Sequence, residues 1–135
     1  MPPDQTEHPT TAIRLQRGDG VGRLRFVAAG GRIQATGLYQ SDPVRFLFPV
    51  PERGEPLPAI LVTTSGGLAA GDRIRLSLAA DTDAVATVST QAAEKVYRST
   101  GATTRFEVDI AVAAGAWLEW LPQETILFDG ARLAR

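Results

Sequence analysis

From Arg23 onward the chain alternates apolar and polar residues with a period of two. RLRFVA sets Leu24 and Phe26 on one face and Arg23 and Arg25 on the other. VRFLFP alternates through Val44, Phe46 and Phe48, with Leu47 blurring the pattern. AILVTT (59–64) is a short, β-branched apolar run of the kind that fills a buried strand. DRIRLSLAA then sets Ile74, Leu76 and Leu78 against Arg73, Arg75 and Ser77, AVATVST follows, and TRFEVDIAV puts Phe106, Val108, Ile110 and Val112 on one face. AWLEWL closes the series with Trp117, Leu118, Trp120 and Leu121. Successive side chains of a strand point to opposite faces, so these short segments, divided by Gly, Asp and Pro turns, predict an all-β domain. PVPERGEPLP (49–58) carries four prolines and is predicted as a loop, because proline has no N–H to give to a ladder. The one helix-like segment, QAAEKVYR (91–98), is short and lacks a capping box. Residues 1–20 are polar, Pro-bearing and aperiodic, which predicts a flexible lead-in and leaves 21–135 as the β domain.

A weak internal repeat organises the second half. A shift of 32 residues superposes IRLSLAADTDAVATVSTQ (74–91) on FEVDIAVAAGAWLEWLPQ (106–123). Ala84 meets Ala116, Val88 meets Trp120, and Gln91 meets Gln123. Each unit is a strand, a small-residue turn, a second strand and a Gln. A strand pair repeated at fixed spacing fits the stacked layers of a β-solenoid, with few or no α-helices. Two hairpins of one sheet with similar turns are the alternative.

Composition narrows the function. A chain of 135 residues can bury a core of its own. Its net charge of −1 offers no clustered cationic surface, which argues against nucleic acid as a partner. The absence of cysteine removes disulfides and thiolate metal sites and fits a reducing compartment. No apolar run reaches the roughly 18 residues of a membrane span, so a cytoplasmic location without membrane contact is expected.

TTSGGLAAGDRI (63–74) places Gly66, Gly67 and Gly71 before Asp72. A phosphate-binding loop needs a Lys and a Ser/Thr at the last glycine, then a helix. Here an acidic residue follows and a strand comes next, so the segment reads as a tight corner. His8 is the only imidazole, and the remaining metal-ligating groups are the oxygens of Asp72, Glu94, Glu119, Glu124 and Asp129. Such donors hold first-row metals loosely, so no tight metal site and no tightly bound cofactor are expected. A Ser-His-Asp set cannot be assembled. Glu119 and Glu124 form a carboxylate pair of the kind glycosidases use, but nothing fixes their separation. Lys95 and Tyr97 share a strand face and, with Arg98, offer an anion contact that lacks a third catalytic partner. WLEWLPQETILFDGAR (117–132), with Trp117, Trp120, Gln123, Glu124 and Asp129, is either core or a protein-contact surface.

TSGGLAAGDRI, TQAAEKVYRSTG and above all AWLEWLPQETILFDGAR resemble the urease accessory protein family UreD, also called UreH, from about Leu24 to the last residue. One departure is Ala70, where the family usually has a second glycine. The resemblance implies a mainly β fold and a non-enzymatic maturation chaperone. It further implies that the protein binds apo-urease subunits and UreF, reaches the GTPase UreG through UreF, and passes nickel transiently toward the urease centre. By position, Asp72 and Glu94 become candidates for the nickel path. Gly66, Gly67, Gly71, Lys95, Tyr97, Arg98, Trp117, Trp120, Gln123, Glu124 and Asp129 become structural or partner-contact residues. Family members are considerably longer, so the chain is expected to be an N-terminal half with an unpaired sheet edge and low stability alone. A generic β-sheet interaction module without a metal role, and a carbohydrate-active enzyme using Glu119 and Glu124, are the competing readings.

Overall fold

The computed structural model describes residues 16–135, and among them every regular element is a β-strand. β1 (Asp19–Ala29) and β2 (Arg32–Gln40) form an antiparallel hairpin, and β3 (Val44–Leu47) follows. The chain then makes three passes in the same order. The first is β4 (Leu57–Thr63), the glycine corner around Leu68, and β5 (Arg73–Ala80). The second is β6 (Val85–Thr90), β7 (Glu94–Val96) and β8 (Thr104–Val112). The third is β9 (Trp117–Leu121), β10 (Thr125–Leu127) and β11 (Leu133–Ala134).

Each pass lies parallel on the one before. β4 pairs with β6 and β6 with β9; Leu68 bridges to Val96 of β7, and β7 pairs with β10; β5 pairs with β8 and β8 with β11. Three sheets result, ordered β11-β8-β5-β1-β2, β3-β4-β6-β9 and β10-β7. The 32-residue repeat is the register of this layering: Ile74 faces Phe106, Val85 faces Trp117 and Val88 faces Trp120. The strands of each copy belong to different sheets, so the copies are successive passes and not two hairpins of one sheet. The all-β expectation holds. The layering does not run through the whole chain, because β2 pairs antiparallel with β1, β3 pairs antiparallel with β4, and β1 to β3 stand outside the repeating passes.

The core lies between the two larger sheets and follows from the alternation. Leu24 and Phe26 of β1, Leu61 of β4, Ile74, Leu76 and Leu78 of β5, and Val88 of β6 are buried, while their polar neighbours point out. β1 and β3 approach closely because Gly22 has no side chain. A Cβ there would sit 2.9 Å from Leu76 Cδ2, Phe46 Cε2 and Val44 Cγ1, inside van der Waals contact. The outer face of the five-stranded sheet is laced by Arg73–Glu107, Arg75–Asp19 and Arg25–Asp81 ion pairs. They are solvent-exposed and contribute little individually.

The proline-rich loop needs correction, and three other segments find their places in the structure. QAAEKVYR, the one helix-like segment, bends at 91–93 and enters β7, because Val96 is wholly buried and pairs with both Leu68 and Leu127. A helix there would leave those ladder bonds unmade. β1 starts at Asp19, inside the segment expected as lead-in, and residues 1–15, with His8, lie outside the described residues. The proline-rich loop ends at Pro56, and Pro58 belongs to β4. β3 pairs only with Ile60–Thr63, so one side of β4 is open at Pro58 and its missing donor is tolerated. RIQATGLYQ, interrupted by Gly37, was not expected as a strand and is β2.

Candidate functional site

The layering brings the three motif strings to one side of the molecule. TSGGLAAGDRI makes the corner of the first pass, EKVYR the strand above it, and QETILFDGA the strand above that. Leu68 N–H donates to Lys95 O at 2.7 Å, and Tyr97 N–H donates back to Leu68 O at 2.9 Å. One layer further, Glu94 N–H donates to Glu124 O at 3.0 Å, and Phe128 N–H donates to Val96 O at 3.1 Å. Gln123 N–H donates to the Thr90 hydroxyl at 2.9 Å, and Ser99 N–H donates to Gly130 O at 3.1 Å. Segments far apart in sequence are therefore held as one continuous stack by backbone bonds.

Side chains lock the same stack. Tyr97 O–H donates to Gly66 O at 3.2 Å in the layer below, and its ring lies 5.2 Å from that of Phe128 in the layer above. Gly67 passes directly under this ring: its φ is 145°, and a Cβ there would come 2.5 Å from Tyr97 Cε2. Only glycine meets both conditions. Gly71, at φ 81°, turns the corner before Asp72.

Asp72 is 7% exposed, and both its carboxylate oxygens are engaged by backbone amides. Gly18 N–H donates to one at 2.8 Å and Ala69 N–H to the other at 2.7 Å. The carboxylate thus ties the entry of β1 to the glycine corner. Beside it the wholly buried Thr104 donates its hydroxyl to Ala69 O at 2.8 Å, which extends the tie to β8.

Glu94 has a different setting. It lines a cleft of about 220 Å³ together with Thr63, Gly66, Gly67, Gln91 and Lys95. Its carboxylate accepts one bond, from the Thr63 hydroxyl at 2.9 Å. Burial pushes its pKa above the ordinary carboxylate value, and the Thr63 bond and the Arg135 charge pull the other way without cancelling it. Lys95 is exposed beside it, while Glu124 and Asp129 are exposed on the layer above. Arg98 lies against Gly130, whose φ is 72°. Among the described residues, no three of His, Cys, Asp and Glu converge as a metal-holding group.

Glu119 does not share this cleft. It sits on β9 and accepts from the Thr87 hydroxyl at 2.9 Å, one layer down in the four-stranded sheet. The two tryptophans of β9 diverge: Trp120 packs half-buried against the core, and Trp117 points outward, 61% exposed. Sequence reasoning missed Thr63 and Thr104.

Comparison with known proteins agrees with the motif stack. The sequence model of the UreD urease accessory protein family matches residues 18–135. Urease accessory protein UreD of Magnetococcus marinus is 52% identical over 116 residues, covering 86% of this chain and 40% of that protein. UreD of Rhodopseudomonas palustris is 53% identical over 98 residues, 73% of this chain and 34% of that protein. UreD of Azorhizobium caulinodans is 44% identical over 124 residues, 92% of this chain and 45% of that protein. The chain spans less than half the length of these relatives. With the family match running from β1 to the end of the third pass, the chain belongs to the UreD urease accessory protein family.

Proposed function

We propose that this protein acts in urease maturation as a non-catalytic chaperone and scaffold. In this reading it docks apo-urease and UreF, reaches UreG through UreF, and works in the cytoplasm. The observation that carries the reading is the family match over residues 18–135. The geometry supports a docking frame, since the motif residues are spent on backbone bonds between layers and on exposed surface.

Nickel enters this reading as cargo. Oxygen donors bind first-row divalent ions weakly unless several converge, which suits passage better than retention. Of the two candidates for the path, Glu94 fits better. It faces a cleft and has a single hydroxyl partner, whereas both oxygens of Asp72 are already committed to amides. Asp72 then acts by holding the corner on which the Glu94 cleft is built.

Docking is tested by passing the purified protein over immobilised apo-urease and holo-urease. Retention on apo-urease is expected, strengthened by UreF. No retention on either, with or without UreF, would contradict the docking role.

A further inference from the structure

The ladder between β3 and β4 stops short, and the prolines of the connecting loop account for it. The two strands pair in register from Val44↔Thr63 to Leu47↔Ile60. Thr64 N–H donates to Pro43 O at 2.8 Å, which makes 43 and 64 a hydrogen-bonded pair. Such pairs recur at every second residue of an antiparallel ladder. The same register continued past Leu47 and Ile60 would place the next two at Pro49 with Pro58 and at Pro51 with Pro56. Neither pair has an N–H to give, so the pairing ends at Leu47.

The arm beyond that point is held in shape without a ladder. Every residue from Phe48 to Pro51 is a proline or precedes one, and both are confined to extended backbone. The tip closes as a turn: Glu55 N–H donates to Glu52 O at 3.2 Å, Gly54 takes a φ of 87°, and Glu52 N–H donates to the Glu55 carboxylate at 3.2 Å. On this stiffened arm the apolar side chains face solvent. Leu47 is 51% and Phe48 40% exposed, and Val50, at 93%, is the most exposed large hydrophobic of the described residues. A segment already ordered in this way gives up little conformational freedom when it binds.

We propose that residues 48–51 form a docking arm, which inserts Val50 and its flanking prolines into an apolar groove with a basic rim on a folded protein partner. The inference rests on the docking role proposed above and names the segment that carries it. Pro49 and Pro51 offer no N–H, so a strand added along this edge would find no donors there. Recognition therefore runs through side chains, as it does for proline-rich segments laid in apolar grooves. The basic rim follows from the tip, where Glu52 and Glu55 flank the single Arg53. Neither carboxylate enters an ion pair among the described residues.

The test passes the purified chain and its variants over immobilised apo-urease, with and without UreF. Val50→Asp and Val50→Ser are expected to weaken retention about tenfold or more, and Val50→Ile to keep it. Melting temperatures are expected to stay within about 1 °C of the parent, because Val50 touches little of its own chain. Pro51→Gly, which loosens the arm, is expected to weaken retention roughly threefold. Leu38→Ser, on β2 at a position 45% exposed, is the control and is expected to bind as the parent does. Equal retention of Val50→Asp and the parent overturns the proposal and leaves the docking role standing; a parent that is not retained overturns both. The chain is also weighed by light scattering and floated with vesicles of phosphatidylcholine and phosphatidylglycerol. A dimer mass lost in Val50→Asp assigns the arm to a second copy, flotation lost in Val50→Asp assigns it to a lipid surface, and either overturns the proposal.

Discussion

Asp72 shows how a residue singled out for chemistry can turn out to be spent on architecture. Its two oxygens satisfy the amides of Gly18 and Ala69, so truncation leaves two buried donors without partners. Asp72→Ala is expected to cost about 3 kcal/mol in urea unfolding, and Asp72→Asn less, since one carbonyl still accepts. Gly67→Ala is expected to cost about 2 kcal/mol, through its φ of 145° and the Tyr97 ring above it. Adding Tyr97→Ala should relieve the clash and leave the backbone strain, so the double variant recovers only part of the loss. Glu94 carries a pH signature. Burial favours its neutral form, so the folded state holds that proton more tightly than the unfolded one. The resulting destabilisation is full above the folded pKa, shrinks as pH falls through it, and is gone below the ordinary carboxylate range. Glu94→Gln keeps an acceptor for Thr63 and removes the charge. Its melting temperature is expected to exceed that of the parent at pH 7, with the gap closing toward about pH 4; a deficit at pH 7 would contradict this. None of these partners was legible locally, because Gly18 lies 54 residues from Asp72.

At the scale of elements, period-two alternation located most of the strands, since an inward apolar row is what a half-buried strand requires. It failed at β2, where Gly37 breaks the row, and was silent at QAAEKVYR, where the strand Glu94–Val96 is too short to alternate. The 32-residue repeat carried more than alternation did, because parallel in-register stacking converts sequence spacing directly into spatial pairing. Alternation could not say which rows are covered. Leu76 and Ile110 both look like core, yet one is 1% and the other 44% exposed. Leu76→Ala is therefore expected to cost about 2–5 kcal/mol, and Ile110→Ala under about 1 kcal/mol. Equal costs would mean that the third pass is covered as well as the second.

Across the whole molecule, the motif strings identified the family while saying little about what each residue does. Three strings that look separate along the chain are successive layers of one stack. Glycines and aromatics in them serve the stacking; Glu94 alone faces a cleft with an oxygen to spare. The account's central claim is that this stack serves urease maturation without performing chemistry itself. The most direct measurement is the nickel content of urease purified from cells with and without this gene at fixed nickel supply. The account predicts nickel-poor, inactive urease without the gene and recovery when it is restored; equal nickel loading in both would contradict it.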